Sequence, residues 1–368
     1  MSSPSRQPSP PPRRPAGEWT LGYVPLTHAA PLLAAQHLGL FARHGLRVRL
    51  CREIGWATIR EKLLSGELDA AQALAPMPLA MTHGLNSARV DCLTALVLNR
   101  HGNTVVLSRR LPVPDAATPG CPQLPERSGE EPYTFAVVYP HSTQSFLLRA
   151  WLRQAGLMPD RDYRLVVVPP PQVVSHLKAG HIDGFCVGEP WGSMAARSGA
   201  GFIAALSADL APGHAEKVLL VRRDRAEQRP EEHQQLIRAL LDACAWCAHP
   251  AHHEEAVSLL ASRNGLALPP EVLRPALTGL LNLGAGRSAH RPDVLTFHGP
   301  KVNRPTLEDA AWLARQLDLP VDPDLLSRLY RTDLHDAAIA GSSPVPVPDS
   351  EPGPEAAVGA GPVTVAHP

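Results

Sequence analysis

The sequence has no excess of charge of either sign. Lys+Arg and Asp+Glu both number 35 among 368 residues, so the formal net charge is zero. No overall field therefore favours nucleic acid or an anionic membrane surface, and any anion site must be local. Direct binding of nucleic acid is disfavoured. Hydrophobic residues make up 44% of the chain, enough for one large two-lobed domain or two ordinary ones.

Long apolar runs are also missing. No segment approaches the roughly 18 apolar residues of a membrane span, so no span is predicted. Residues 1–17 are rich in Pro, Ser and Arg and contain no apolar run of about seven residues, so they cannot form the hydrophobic region of a secretory signal. The twin arginine Arg13-Arg14 is followed by Pro-Ala-Gly-Glu rather than by an apolar segment. We therefore expect a disordered leader over 1–17 and a cytoplasmic protein.

Neither a disulfide framework nor a catalytic motif stands out. The six cysteines are scattered, several within apolar segments, which is typical of reduced core thiols, although an even count leaves disulfides open. Cys244 and Cys247, followed by His249, His252 and His253, could hold zinc. The run lacks a second CxxC, and both thiols share the apolar face of a predicted helix, so buried thiols are the preferred interpretation. We predict no metal, no cofactor and no enzymatic activity, because GxSxG, Walker A, HExxH and GxGxxG are all absent.

Strands and helices alternate in two similar stretches of the chain. In each stretch a predicted helix ends at a glycine that is followed three residues later by aspartate, at Gly66 and Asp69 and again at Gly180 and Asp183. This alternation predicts parallel sheets with helices on their faces, arranged as two similar α/β lobes. The predicted strands are 20–24, 45–50, 68–74, 133–139, 163–168, 181–187 and 218–222, and the main predicted helices are 57–65, 142–156, 171–179 and 231–248.

The predicted organisation has two lobes with a ligand cleft between them. Further helices are predicted to about residue 330, and the chain is expected to return to the first lobe, since a hinged cleft needs two or more crossings. The predicted boundaries are a disordered leader at 1–17, the first part of lobe 1 at 18–110, a loop or hinge at 111–132, lobe 2 at 133–214, the return to lobe 1 with C-terminal helices at 215–335, and a disordered tail at 341–368.

Unusual residues lie next to the predicted strand ends, where ligand sites of α/β folds form. Helix starts near Thr27, Ala57 and Ser142 would present backbone N–H groups that favour an anion. A small anion is therefore the first ligand to expect. The candidate binding residues are Thr27, His28, Trp56, Gly102, Asn103, His141, Thr143, Gln144, Glu189, Trp191 and Lys217.

Lys217 is the most informative of these residues. The chain has only four lysines, whereas arginine is abundant, so a lysine here suggests a compact charge with three donors in a tight pocket. A solvated lysine at a strand start is the alternative. Trp56 could wall the pocket or belong to the core, and Asn103 and Gln144 could be ordinary capping residues. Glu189 alone would repel an anion, so its expected role is to orient donors or to pair with Lys217.

Several motifs resemble one known family. They are Leu21-Gly-Tyr-Val-Pro-Leu-Thr27, Gly55-Trp-Ala-Thr-Ile-Arg60, Gly66-Glu-Leu-Asp-Ala70, Leu74-Ala-Pro-Met-Pro-Leu-Ala80, Val167-Val-Pro-Pro-Pro-Gln172 and Asp183-Gly-Phe-Cys-Val-Gly-Glu-Pro-Trp191. Together they resemble the nitrate- and bicarbonate-binding proteins of the NrtA/CmpA type, over about residues 20–222 and more loosely to 330. The resemblance implies an α/β, two-lobed, type II periplasmic-binding-protein-like fold.

The resemblance also implies a ligand. It places anion contacts at Trp56 and Lys217, and around Asn103 and Gln144. At the position of Lys217, nitrate binders have lysine, whereas bicarbonate binders have a carboxylate and a bound calcium ion. Nitrate is only an acceptor and needs donors and positive charge, so Lys217 indicates nitrate or nitrite. Gln144 departs from the family, which has a histidine there, and His141 or His28 could substitute.

A chain without an export signal is similar to the NasS branch of this family. Such cytoplasmic nitrate/nitrite sensors hold an ANTAR-domain antiterminator of the NasT type inactive and release it when the anion binds. The resemblance implies the same role here, with the RNA-binding surface on the partner. The alternatives are the substrate-binding component of a nitrate/nitrite ABC transporter and a regulator of a transporter or reductase. A thiamine-pyrimidine-synthase-like enzyme is also possible and would need catalytic His and Cys in the cleft.

Overall fold

Two mixed β-sheets with flanking helices form the framework of the protein. The structure is a computed structural model that describes residues 17–113, 124–125 and 131–340. The predicted leader, apart from Gly17, lies outside these residues, as do the predicted tail and most of the predicted loop at 111–132. Over the part of the chain described, no helix is both long and apolar enough to cross a membrane.

The strands, numbered in chain order, are β1 (Glu18–Tyr23), β2 (Arg47–Arg52), β3 (Ala70–Leu74), β4 (Cys92–His101), β5 (Asn103–Ser108), β6 (Tyr133–Val137), β7 (Tyr163–Val167), β8 (Gly184–Gly188), β9 (Gly201–Leu206), β10 (Ala215–Arg222), β11 (Leu280–Gly284), β12 (Arg287–His290) and β13 (Leu295–Thr296). The α-helices are α1 (Ala30–His37), α2 (Leu40–Arg43), α3 (Trp56–Leu64), α4 (Met77–His83), α5 (Thr143–Gln154), α6 (Val173–Ala179), α7 (Trp191–Arg197), α8 (Ser207–Leu210), α9 (Arg223–Gln228), α10 (Pro230–Ala248), α11 (His253–Ala261), α12 (Pro270–Thr278), α13 (Leu307–Gln316), α14 (Pro323–Leu329) and α15 (Thr332–Ala340). Short 3-10 helices span Thr27–Ala29, Pro170–Gln172 and Pro250–His252.

The two sheets repeat one topology. The first has the strand order β13-β4-β10-β3-β1-β2 and the second the order β7-β6-β8-β5-β9. In the first sheet β1 pairs in parallel with β2 and β3, and β10 runs antiparallel to β3. In the second, β6 pairs in parallel with β7 and β8, and β5 runs antiparallel to β8. In each sheet the strand that arrives from the other half, β10 in the first and β5 in the second, therefore runs antiparallel to its central neighbour.

The repeated aspartates of the sequence have the same structural role in both halves. Asp69 Oδ2 accepts a hydrogen bond from the backbone N–H of Thr20 at 2.9 Å. Asp183 Oδ2 accepts one from the backbone N–H of Thr134 at 2.8 Å. Each carboxylate thus satisfies a buried donor at the start of the neighbouring parallel strand. This correspondence supports the prediction of two similar lobes.

The crossing between the halves differs from the predicted boundary. β5 pairs with β8 and β9 in the second sheet, so the chain first crosses at Gly102, between β4 and β5, and not in the segment 111–132. Gly102 has φ +98°, a conformation that side chains disfavour, which lets the chain turn sharply from one sheet to the other. The return crossing lies between β9 and β10, close to the predicted residue 215.

Two further predictions were wrong in detail. The sheets are mixed rather than parallel, because each receives antiparallel strands from the crossings. The predicted run of helices after residue 248 is interrupted by the hairpin of β11 and β12. The tight turn between these strands uses left-handed backbone at Ala285 and Gly286, a signal that helical periodicity alone does not reveal.

The Cys244 and Cys247 thiols lie on the buried face of α10, as the preferred interpretation predicted. Cys244 Sγ donates to the carbonyl of Leu98 in β4 at 3.4 Å. Burial raises the pKa of both thiols, which therefore stay protonated. Among the described residues, no group of three or more His, Cys, Asp and Glu side chains is arranged to hold a metal ion.

Candidate functional site

The candidate site lies between the two sheets, at the start of β10. Lys217 pairs with Leu74 of β3 on one side and with Asn99 of β4 on the other. The register with β4 shifts on both sides of Lys217, which marks a β-bulge or similar irregularity. Regular alternation would send consecutive side chains to opposite faces, but here the side chains of Glu216 and Lys217 meet.

Lys217 is fully buried and forms an ion pair with its neighbour. Its Nζ lies 2.5 Å from Glu216 Oε1 and 5.3 Å from the centroid of the Trp56 ring, so a carboxylate and an aromatic face both stabilise the ammonium. Burial lowers the pKa of Lys217, and the attraction to Glu216 opposes that change. Burial disfavours the ionised Glu216, but the attraction to Lys217 together with the contacts of His214 and His28 outweighs it and lowers the pKa of that carboxyl to about 2.

Glu216 also connects the two halves of the protein. Its Oε1 accepts a hydrogen bond from Gln144 Nε2 at 2.8 Å, and its Oε2 accepts one from the hydroxyl of Thr143. Both donors lie in the first turn of α5, where Ser142 caps the helix by accepting from the N–H of Ser145. A carboxylate at a helix N-terminus is stabilised by the helix dipole. The first sheet is thereby held to the second half through one buried side chain.

Two buried donors near this ion pair have no hydrogen-bond partner. They are Trp56 Nε1 and Asn103 Nδ2. Asn103 Oδ1 accepts from Gln144 Nε2 at 2.9 Å, which fixes the amide so that its NH₂ group remains available. Buried donors without acceptors are costly, so such groups commonly await a ligand or a water molecule. A cation with two free donors around it suits a small acceptor-rich anion.

His28 and Gly102 form one wall of the same region. The His28 ring is fully buried, and its Nε2 lies 3.3 Å from the carbonyl oxygen of His101. Burial and the charge of Lys217 hold the pKa of His28 well below its usual range, so the ring is neutral. A Cβ atom at Gly102 or Gly188 would overlap the His28 ring, which explains why glycine stands at both positions.

Thr27, Glu189 and Trp191 belong to the contact between the halves. The N–H of Thr27 donates to the carbonyl of Glu189 at 3.0 Å, and the N–H of Glu189 donates to the carbonyl of Gly102 at 2.8 Å. The Thr27 hydroxyl and the Trp191 indole N–H are buried and unpaired. Trp191 is the first residue of α7 and follows Glu189 by two positions in the sequence.

Of the two roles expected for Glu189, orienting donors or pairing with Lys217, the pairing with Lys217 was wrong. The Glu189 carboxylate instead accepts from the backbone N–H of Ser193 at 3.2 Å in the first turn of α7. Burial raises the pKa of Glu189 to about 7. No hydrogen bond or ion pair joins it to Lys217, because that position is taken by Glu216.

His141 lies at the rim, apart from the ion pair. Its Nε2 is 3.0 Å from Nδ2 of Asn86, a residue that follows α4 in the first half. Its ring meets the edge of Tyr139 with centroids 6.0 Å apart. His141 therefore joins the outer edges of the halves and does not replace the missing family histidine near Lys217.

Sequence reasoning missed Glu216 and His214. His214 Nε2 lies 3.5 Å from Glu216 Oε2. Glu216 directly precedes Lys217 in β10, where regular alternation predicts that their side chains lie on opposite faces, and His214 lies just before the strand. Only the irregular register of β10 lets Glu216 and Lys217 meet, and no motif in the chain announces it.

Comparisons with known proteins agree with the expected fold. A family model described as the NMT1-like family matches residues 13–261. The chain is 31% identical over 355 residues to the nitrate/nitrite binding protein NrtA of Synechococcus elongatus, covering 90% of this chain and 80% of that protein. The crystal structure of the periplasmic nitrate-binding protein NrtA from Synechocystis has a TM-score of 0.81 and 26% identity and is matched over 90% of both chains. The predicted α/β, periplasmic-binding-protein-like fold is thus confirmed.

A third similarity concerns longer proteins. The chain is 36% identical over 327 residues to the nitrate import ATP-binding protein NrtC of Synechocystis sp.. That match covers 85% of this chain but only 48% of NrtC. The chain therefore spans about half the length of this relative.

Proposed function

This chain belongs to the NMT1-like family, in the group that includes NrtA, and on that premise we propose that it binds nitrate or nitrite between its two sheets. One observation carries the proposal. Lys217 is a fully buried cation beside the unpaired donors Trp56 Nε1 and Asn103 Nδ2. A planar oxyanion that only accepts hydrogen bonds would satisfy all three groups.

The proposed ligand follows from the kind of charge that the site presents. An ammonium and two N–H groups are donors, and nitrate or nitrite offers oxygen acceptors without a proton of its own. Bicarbonate carries a hydroxyl that needs an acceptor, and the oxygens of Glu216 already accept from Lys217, Gln144 and Thr143. Of the unpaired groups beside the ion pair, Trp56 Nε1 and Asn103 Nδ2 donate and Gln144 Oε1 accepts, so the donors and the ammonium favour nitrate or nitrite over bicarbonate.

We further propose that the protein is a cytoplasmic sensor that sequesters an ANTAR-domain antiterminator of the NasT type and releases it when the anion binds. The anion would bind between the halves and change their equilibrium arrangement, and with it the surface offered to the partner. The buried cysteines Cys92, Cys186, Cys244 and Cys247 are free thiols, which suits a reducing compartment.

A role in anion import is the second candidate. The similarity to NrtA and to about half of an import ATP-binding protein supports it. In that role the same cleft would present nitrate or nitrite to a transporter. Isolation of the native protein with membrane-bound transporter subunits, and not with an antiterminator, would favour this candidate.

Ligand binding can be tested by thermal shift of the full chain with nitrate, nitrite, and bicarbonate plus calcium. A ligand that binds only the folded state stabilises it by about 2.7 kcal/mol at a hundredfold excess over Kd. We expect nitrate or nitrite to raise Tm. Trp56→Phe keeps the ring but removes the N–H, so its affinity should fall by about 10- to 100-fold, the value of a hydrogen bond to a charged group.

The control for that variant is Trp246→Phe, which changes an indole on α10 that stacks on the ring of His252, with centroids 4.8 Å apart, and not on the ion pair. It should bind as the unchanged protein does. A response to bicarbonate with calcium alone would contradict the proposed ligand.

Partner release is tested by size-exclusion chromatography of the chain mixed with a purified ANTAR-domain antiterminator. The proposed sensor forms a complex that nitrate or nitrite dissociates, and the Trp56→Phe complex needs about 10- to 100-fold more anion, in line with its weaker binding. A complex that persists at saturating anion, or no complex at all, would refute the sensor role while leaving anion binding intact.

A further inference from the structure

The Glu216 carboxylate occupies donors that a bound oxyanion would use. It accepts from Lys217 Nζ at 2.5 Å, from Gln144 Nε2 at 2.8 Å and from the hydroxyl of Thr143. All four side chains have no solvent exposure. The site thus contains a built-in counter-ion for its only buried ammonium among the described residues.

The other groups around the carboxylate do not add positive charge. His28 is held neutral by burial, which lowers its pKa far below the usual range. His101, whose ring centroid lies 5.1 Å from that of His214, has its pKa lowered by burial to about 4. Burial raises the pKa of the Cys186 thiol, which stays protonated. With these groups neutral, the positive charge of Lys217 and the negative charge of Glu216 cancel.

The remaining neighbours of the pair are four uncharged side chains and one imidazole. Trp56, Asn103, Thr143 and Gln144 are uncharged. His214 lies 3.5 Å from Glu216 Oε2 and packs near Trp312 of α13, with ring centroids 6.2 Å apart. Glu216 is therefore the carboxylate that a bound anion would displace from the ammonium.

We propose that Glu216, by neutralising Lys217, makes the cleft accept a monovalent anion only together with a proton. An anion added to a neutral, fully buried pair leaves one uncompensated negative charge, which a low-dielectric site strongly disfavours. The anion takes over the attraction of Lys217 that helps to keep Glu216 ionised, so a proton bound by Glu216 restores neutrality while the cleft stays closed. The inference rests on the proposed function, since it assumes that the anion binds beside Lys217.

This arrangement makes Glu216 a residue that determines specificity. A monovalent anion requires one proton, whereas a divalent anion such as sulfate would require two in the same buried space. The cleft therefore discriminates between monovalent and divalent anions by the free-energy cost of protonation and not only by the size of the anion. Replacing Glu216 with Gln removes the carboxylate that competes with the anion for the donors of Lys217, Gln144 and Thr143.

The consequence is a measurable dependence on pH. When one proton is taken up on binding, the association constant falls about tenfold for each pH unit, over the range where the accepting group is unprotonated in the free protein. For Glu216→Gln the constant should be higher than for the unchanged protein at neutral pH, because the anion no longer lies beside a buried carboxylate. Glu254→Gln removes a carboxylate of the same type that pairs with Arg274 on the surface, and it should bind as the unchanged protein does.

The test is isothermal titration of the full chain with nitrate and with nitrite, in two buffers of different ionisation enthalpy and over about pH 6 to 8. The buffer dependence of the heat gives the number of protons taken up, which should be about one for the unchanged protein. The measurement on the unchanged protein needs no substitution, so it stands even if the variant fails to fold.

The outcomes separate this inference from the proposed function. Binding without proton uptake, with an affinity that does not change with pH, overturns the inference and leaves nitrate or nitrite binding established. Equal affinity of Glu216→Gln and the unchanged protein also overturns it. The absence of binding of either anion at any pH refutes the proposed function, and the inference with it.

Discussion

The ion pair of Lys217 and Glu216 should have a large effect on stability when only one partner is removed. Lys217→Met keeps the length of the side chain but leaves the fully buried Glu216 carboxylate without its cation. Breaking a buried pair in this way costs about 3–5 kcal/mol. The free energy of unfolding of Lys217→Met should therefore fall by that amount near neutral pH.

The chain offers a matched control. Lys62 pairs with Glu53 at the comparable distance of 2.8 Å, and the Lys62 side chain is 35% exposed although that of Glu53 is only 5% exposed. Solvent reaches this ammonium, so Lys62→Met should cost less than Lys217→Met. The difference between the two lysines reports the burial of the ammonium, because residue type, partner type and substitution are the same.

The coupling is measured by adding Glu216→Gln. In the double variant Lys217→Met/Glu216→Gln no charge remains buried, so it should be more stable than Lys217→Met alone. In Lys217→Met, burial without the ammonium raises the pKa of Glu216 above its unfolded value, so stability is lost as pH rises. Urea unfolding followed by circular dichroism measures the free energy of unfolding of the unchanged protein and of its four variants, Lys217→Met, Lys62→Met, Glu216→Gln and Lys217→Met/Glu216→Gln. Equal losses for Lys217→Met and Lys62→Met, or a double variant whose loss is the sum of the single losses, would refute this reasoning.

Three further predictions concern the surroundings of the pair. Burial raises the pKa of Glu189 to about 7, above its unfolded value. The free energy of unfolding should therefore fall by roughly 2 kcal/mol between about pH 5 and 7 because of this group, and Glu189→Gln should remove that pH dependence in urea titrations. Gly102→Ala should lower Tm more than Gly45→Ala, because both have positive φ but only Gly102 faces the His28 ring; equal shifts would contradict the packing argument. His141→Ala should change nitrate affinity by less than about threefold in calorimetry, since His141 lies at the rim.

The sequence predicted those parts of the fold that depend on local patterns. The apolar strands, the helix starts and the repeated Gly and Asp pairs all correspond to observed elements. The first crossing was misplaced because a short strand at 103–108 follows β4 with one residue between them, and hydrophobic periodicity cannot show that consecutive strands belong to different sheets. The hairpin after α12 was missed because its turn residues lie in a segment expected to be helical.

The candidate site was predicted only in part, because the sequence shows which residues lie near element ends but not which way their side chains point. Trp56, Asn103, Gln144 and Lys217 lie next to strand or helix ends, and the structure brings all four together. His141 follows a strand end too but faces the rim, which depends on side-chain direction rather than on position in the sequence. Glu216 is visible only through the irregular register of β10. Non-local features of this kind have no signature in a single chain.

A crystal structure of the full chain grown with nitrate tests the proposed anion site most directly. Nitrate should lie between the sheets, with its oxygens within hydrogen-bond distance of Lys217 Nζ, Trp56 Nε1 and Asn103 Nδ2. Nitrate bound elsewhere, or a cleft that keeps these donors unoccupied at saturating nitrate, would contradict it.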